Sequence, residues 1–358
     1  MLKRWRFWVG AAISALFIIY ALRGLDLGHV WADIQTANYW WIIPGVLTYF
    51  VGVWFRAWRW HYLLRPIKPL PVSTIWPVTV IGYMGNNIYP FRAGELLRAY
   101  ILRRQEGVSM SASIATILVE RIFDGLVMLL FVFVALPIVP GLPDWLRQIV
   151  ILASLAFFGA LIVFLVMAAR PATSRTIYRR AILRFLPIPL QAKALGLADR
   201  FMEGLGSLTS LRDILMVFFT SIIIWLLETV KYWFVMFAFD FTVSFFALML
   251  MNGVVNLATT LPSAPGYIGT FDGPGIEVLK VFGVAPTVAA AYTLVLHAAL
   301  WLPITALGLY YMVVESLTWR DFGQAVTSGQ LAKEVNVPPV DPAQPRPGLE
   351  KSPPEGLL

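Results

Sequence analysis

Four polar clusters interrupt an otherwise apolar sequence, and their residue types suit recognition of a charged group better than the breaking of bonds. The first lies in GYMGNNIYPFRAGELLRAYILRRQEGV, where Asn86, Asn87, Pro90, Arg92, Gly94, Glu95 and Arg98 fall close together. A guanidinium presents a planar fork of donors that matches a phosphodiester, and a carboxylate can take an amine. The second is VERIFDGL, in which Glu120 and Asp124 share a helix face and Arg121 can pair with Asp124 one turn on. The third is LLETVKYW, with Glu228 and Lys231 spaced to neutralise each other. The fourth, NGVVNLATTLPSAPGYIGTFDGPGIEVLKVFGV, carries Asn252, Asn256, Asp272 and Glu277 among a density of Pro and Gly that no continuous helix tolerates. His297 stands alone in the last apolar stretch. The plainer alternatives are a capped cytoplasmic loop for the first cluster, helix-fixing ion pairs for the second and third, and a satisfied interior histidine for His297.

Other chemistries find little support. The chain has no cysteine, and its three histidines, His29, His61 and His297, lie far apart without ligand spacing, so neither a metal nor another cofactor is expected. The PSAPGYIG run lacks the Lys-Ser/Thr ending of a phosphate-cradling nucleotide loop. No D-x-D or E-x-D stands beside the first cluster to serve as a metal-binding acid pair. The formal charge of +8 is carried largely in loops between apolar segments, as topology determinants are, so no nucleic-acid partner is expected.

The elements that must position these clusters cross a bilayer. Of 358 residues, 59% are hydrophobic and 13% charged, about half the charged share of soluble domains. Crossing a hydrocarbon core of ~30 Å takes about 20 helical residues. The apolar runs predict an all-α polytopic membrane protein with six full transmembrane helices, near Phe7–Leu22, Tyr39–Phe55, Ala112–Leu136, Leu146–Ala169, Asp213–Ala238 and Pro286–Val314. Val72–Glu106 and Phe241–Gly283 are apolar but broken, and are read as two re-entrant broken-helix elements. Each runs from Asn through Pro to Gly and an acid, and each ends in Gly-Val, at Gly107-Val108 and Gly283-Val284. Entering from opposite sides, they form an inverted repeat that sets Arg121 opposite His297, a plan that puts sites near the midplane.

The N-terminus lacks a small-x-small cleavage end and reads as a retained first span, followed by a short interfacial helix over Asp26–Asn38. A cytoplasmic N-terminus gathers most of the 28 Lys and Arg on the inner side, with Arg56 and Arg59 counted in a loop there. Both termini are then cytoplasmic. The basic stretch Arg170–Arg212 reads as lying on the inner leaflet. Residues 1–315 form the transmembrane domain and 316–358 a disordered, Pro-rich cytoplasmic tail.

The string N-x-x-P-x-R-x-G-E-x-x-R, here Asn87, Pro90, Arg92, Gly94, Glu95 and Arg98, resembles the signature of the lysylphosphatidylglycerol synthase transmembrane family, also called flippase-like or UPF0104. VERIFD and the run from Leu261 to Asp272 resemble its other two marks, and the resemblance covers roughly residues 5 to 315. It implies a lipid translocator of the bacterial cytoplasmic (inner) membrane, moving a phospholipid or a polyprenyl- or hopanoid-type lipid between leaflets. Its substrate-binding residues would be Asn87, Arg92, Glu95, Arg98, Glu120, Arg121, Asp124, Asp272 and His297. The polar stretch after Val314 is too short for the aminoacyl-transfer domain of bifunctional relatives, so transport without lysyl transfer is expected. The other readings are a polyprenyl-phosphate-dependent glycosyltransferase and an accessory subunit of a lipid-modifying system. A homo-oligomer is compatible with any of them.

Overall fold

The computed structural model describes residues 5–89, 92–140, 144–185, 211–261 and 263–318, together with Pro187, Gln191, Leu195 and Gly323. Among them are twelve helices and no strand. The predicted tail beyond residue 318, Gly323 apart, and most of residues 186–210 lie outside the described residues, as do Pro90 and Pro262.

Helix α1 (Trp5–Leu22) turns through 86° into α2 (Leu27–Thr36). Gly24 supplies a left-handed φ of 77° at the corner, and the Asp26 side chain caps α2 by accepting from the Gly28 and His29 N–H groups. The short helix expected after the first span is therefore present.

Helix α3 runs over Ile42–Leu64, nine residues beyond the expected end of the span at Phe55. Arg56 and Arg59 are thus not loop residues but lie within the helix, both buried. Their charges suggested a helix exit, whereas acids on other helices hold them inside.

Helices α4 (Val72–Ile88) and α5 (Ala93–Glu106) form the first broken element. The chain is extended at Tyr89 and left-handed at Arg92 (φ 53°), and it folds α5 back along α4. Gly94 lies past the break between the two helices. It lies in the first turn of α5, where a Cβ would meet the Gly82 carbonyl and the Asn86 amide. Gly94→Ala is therefore expected to destabilise the hairpin by about 1–3 kcal/mol, the usual cost of overpacking. Gly125→Ala has open space around it and should be neutral or nearly so. Thermal unfolding of the two variants in detergent checks the contrast.

After Gly107 (φ 69°), α6 (Met110–Ala135) begins at the Ser109 cap, followed by α7 (Asp144–Ala169) and the basic α8 (Pro171–Phe185). Helix α9 (Leu211–Met236) packs along α3, with Gly45 set against Val235 and the Lys231 carbonyl. The second broken element comprises α10 (Phe245–Ala258), an irregular stretch with a 3₁₀ turn at Pro265–Tyr267, and α11 (Asp272–Val281). Gly283 (φ 81°) then leads into α12 (Pro286–Val314).

By length and apolar composition α9 and α12 can each cross a membrane, and the bent α1–α2 pair adds a third. Helices α3 and α6 have comparable length but carry the buried charges described next. Leu16, Ile19, Leu152, Ile162 and Val313 project from the bundle as exposed hydrophobics, a surface suited to lipid.

Candidate functional site

Charged side chains from α3, α5, α6 and α9 converge inside the bundle. Asp124 on α6 is 1% exposed and is the hub. Arg59 on α3 approaches it bidentately, Nη1 to Oδ1 at 2.7 Å and Nη2 to Oδ2 at 3.2 Å. Arg59 Nη1 also donates to Ser221 Oγ at 2.6 Å, and Trp225 Nε1 donates to Asp124 Oδ1 at 3.0 Å. Arg121 Nη2 lies 3.3 Å and Arg56 Nη1 3.7 Å from Asp124 Oδ2. One carboxylate therefore answers to three guanidinium groups, two from α3 and one from its own helix.

Behind this hub, Arg98 Nη1 donates to Glu120 Oε2 at 3.0 Å and its guanidinium sits 3.8 Å from the centre of the Trp60 ring. Trp60 is in turn tied to Thr116. In front of it, Glu228 on α9 accepts from Arg56 Nη2 at 3.0 Å and contacts Lys231 Nζ, which also faces the Tyr49 ring. Glu95 on α5 lies 3.6 Å from Arg121 Nε and 3.8 Å from Arg92 Nη1.

The cluster thus sets Arg56, Arg59, Arg92, Arg98, Arg121 and Lys231 against Glu95, Glu120, Asp124 and Glu228, so cations outnumber acids by two. Excess charge away from bulk water is costly unless a ligand of opposite sign offsets it.

The excess borders a polar cavity of about 130 Å³ lined by Arg56, Arg92, Arg121 and Lys231, with Glu228 the lining acid. The Nε groups of Arg56, Arg92 and Arg121 are buried without hydrogen-bond partners, Arg121 Nε facing Glu95 Oε1 at 3.6 Å. Tyr83, Asn256, Trp301 and His297 complete much of the wall.

On the far wall His297 Nδ1 lies 2.8 Å from Asp272 Oδ1, and Nε2 lies 2.7 Å from the Gly266 carbonyl. Asp272 Oδ2 accepts from the Gly269 N–H at 2.8 Å. The acid at the start of α11 thereby pins the irregular stretch to α12, and Phe271 stacks on the imidazole at 4.5 Å between centroids. Ser14 on α1 receives the Ala264 N–H at 2.8 Å, which docks the same stretch on the first helix.

The residues singled out in the sequence divide into three groups. Asn87, Arg92, Arg121 and His297 line the cavity, although the Asn87 amide is spent on Thr305 Oγ1 and the Trp301 carbonyl. Glu95, Asp124 and Asp272 stand behind them as counter-ions. Arg98 and Glu120 pair with each other away from the cavity. Arg56 and Arg59 were missed as site residues, and Lys231 and Glu228 were read only as a local pair. The signal for the arginines was their spacing: Tyr49, Gly52, Val53, Arg56, Arg59, Trp60 and Leu63 form one helical stripe, and all are buried.

An all-helical bundle with an apolar outer surface and an interior cluster of charges defines an integral membrane protein. The chain belongs to the family described as the lysylphosphatidylglycerol synthase TM region, which matches residues 7–308. A UPF0104 membrane protein of Methanothermobacter thermautotrophicus is 26% identical over 326 residues, 87% of this chain and 93% of its own length. One from Methanocaldococcus jannaschii is 23% identical over 84% of this chain and 93% of its length. The glycosyltransferase AglD of Haloferax volcanii is 26% identical over 250 residues, 61% of this chain and 39% of that protein.

Proposed function

We propose that this protein moves an anionic, phosphate-bearing lipid between the leaflets of the cytoplasmic membrane, with the headgroup seated in the arginine-lined cavity. The observation that carries this reading is the two-cation excess of the cluster, which meets the cavity through Arg56, Arg92, Arg121 and Lys231. Phosphate matches a guanidinium fork in charge and geometry. With the headgroup sheltered, the hydrocarbon chains can stay in lipid.

The reading includes six full spans and an inverted repeat, α3–α6 against α9–α12. Reciprocal packing supports it. Helix α4 packs on α12 and α10 on α6, while α3 and α9 pack on each other, as a twofold relation requires. Gly107 and Gly283, both left-handed, precede α6 and α12 at corresponding places. Motion of one half against the other would then expose the cavity to alternate sides.

The test is the purified protein in phosphatidylcholine vesicles carrying a trace of headgroup-labelled fluorescent phosphatidylglycerol. Dithionite added outside should quench only the outer-leaflet dye in protein-free vesicles and the whole pool when protein is present. Quenching limited to the outer leaflet in both cases overturns the reading.

The similarity to AglD favours a second reading, glycosyl transfer from a polyprenyl-phosphate sugar. Against it, each of the four cluster carboxylates lies within 4 Å of an arginine or lysine, an arrangement that favours charge balance over proton transfer. Product formed from a polyprenyl-phosphate sugar in the same vesicles would favour it.

Both termini are proposed to face the cytoplasm. The chain has no cysteine, so single replacements report cleanly. In intact cells His29→Cys on α2 should react with an impermeant maleimide and Arg180→Cys on α8 should not, both being exposed positions. Labelling of Arg180→Cys alone would reverse the orientation.

A further inference from the structure

The polar cavity has a second neighbour. On the other side of His297 and Trp301 lies a larger groove of about 440 Å³, and these two residues line both spaces. Helix α1 contributes Ile18, Ala21 and Leu22 to it, α11 contributes Ile276, and α12 contributes Leu294 and Leu302. Leu294 and Leu302 are also exposed on the outside of the bundle, so the groove opens toward the surrounding lipid.

Its one charged lining residue, Asp272, is already committed, with Oδ1 on His297 and Oδ2 on the Gly269 amide. His297 is committed in turn to the Gly266 carbonyl. The partition between the spaces therefore satisfies its own polar groups and makes no demand on the groove's occupant. An apolar channel of this kind suits hydrocarbon, since its walls offer no partner to water and a chain entering from the surrounding lipid keeps an apolar environment. A water-filled groove would gain nothing from such walls.

We propose that the groove between α1, α11 and α12 is the seat of one hydrocarbon chain of the lipid whose phosphate enters the cavity, and that the headgroup passes between cavity and bilayer at His297 and Trp301. This rests on the lipid-translocation reading above and adds the route and the chain site. Two observations commit the groove to a chain of that lipid rather than to a peptide or a second copy of the protein. It shares a wall with a cavity of excess positive charge, and its mouth faces the bilayer. An amphipathic anion is the ligand that would fill both spaces together.

The experiment uses phosphatidylglycerol with a diazirine in one acyl chain, incorporated into the same vesicles as the full-length protein. Irradiation should place adducts preferentially on Ile18, Ile276, Leu294 or Leu302. Ala298, an exposed groove residue, can be enlarged without entering the core. Ala298→Phe should leave the thermal unfolding temperature unchanged, cut the groove adducts by about tenfold because the phenyl ring fills the chain's seat, and slow dye movement in parallel.

Adducts spread evenly over lipid-facing helices, with Ala298→Phe moving lipid at the wild-type rate, would overturn the groove and leave translocation standing. Concentrated groove adducts without any lipid movement would uphold the groove as a chain site and remove translocation instead. Neither adducts nor movement would remove both.

Discussion

Replacing Asp124 with alanine is expected to remove folded protein from the membrane rather than to slow transport. Asp124 is buried and accepts a bidentate pair from Arg59 and a hydrogen bond from Trp225, with Arg121 and Arg56 also within 4 Å. Taking away one partner of a buried pair costs about 3–5 kcal/mol, because the other charge remains desolvated. Here the loss strips Arg59 of its bidentate partner and takes a counter-charge from Arg56 and Arg121, and whole domains are stable by only about 5–15 kcal/mol. Asp124→Asn keeps the shape but cannot balance the charge and should fail almost as badly. Arg59→Ala should share the defect, since the bidentate contact and the Ser221 hydrogen bond vanish together. Fluorescence-detected size exclusion of tagged protein, extracted in mild detergent, checks this. Monodisperse Asp124→Ala at wild-type yield would show that water or an anion relieves the strain, and that Asp124 is not the hub.

The hub also shows what the sequence could and could not convey. Local pairings were legible because a helix fixes its own neighbours. Arg121 meets Asp124 three residues on, and Lys231 meets Glu228 three residues back. The two broken elements were legible through Pro and Gly, whose backbone limits do not depend on tertiary context. Arg56 and Arg59 escaped because an arginine in an apolar helix reads as the end of a span. Only partners on α6 and α9, far along the chain, make its burial tolerable. Glu95 and Arg98 show the same limit. They lie one turn apart on α5, yet Glu95 turns to Arg92 and Arg121 while Arg98 turns to Glu120. The use of Gly94 was not legible, because close approach of α4 to α5 is visible only once both helices are placed.

Arg121→Gln, by contrast with Asp124→Ala, is expected to leave a folded protein that moves anionic lipid at least about tenfold more slowly, the factor equivalent to about 1.4 kcal/mol. Arg121 lines the cavity with its side chain 24% exposed, and neither acid beside it depends on it alone. Asp124 keeps Arg59, and Glu95 keeps Arg92. The folding cost should therefore resemble that of an exposed pair, about 0–1 kcal/mol, while the cavity loses one of its excess cations and a forked donor. Arg92→Gln should behave in the same way. Arg121→Lys restores the charge without the fork and should recover only part of the rate. Glu95→Gln shifts the balance in the opposite direction, raising the positive excess beside the headgroup. It should bind the anionic lipid at least as well as the native protein while discriminating more strongly against zwitterionic phosphatidylcholine. The vesicle assay with both dyes, run beside thermal unfolding of each variant, separates these effects. Arg121→Gln that is stable and moves the anionic dye at the native rate would mean that the charge excess is not what the cavity uses to recognise its lipid.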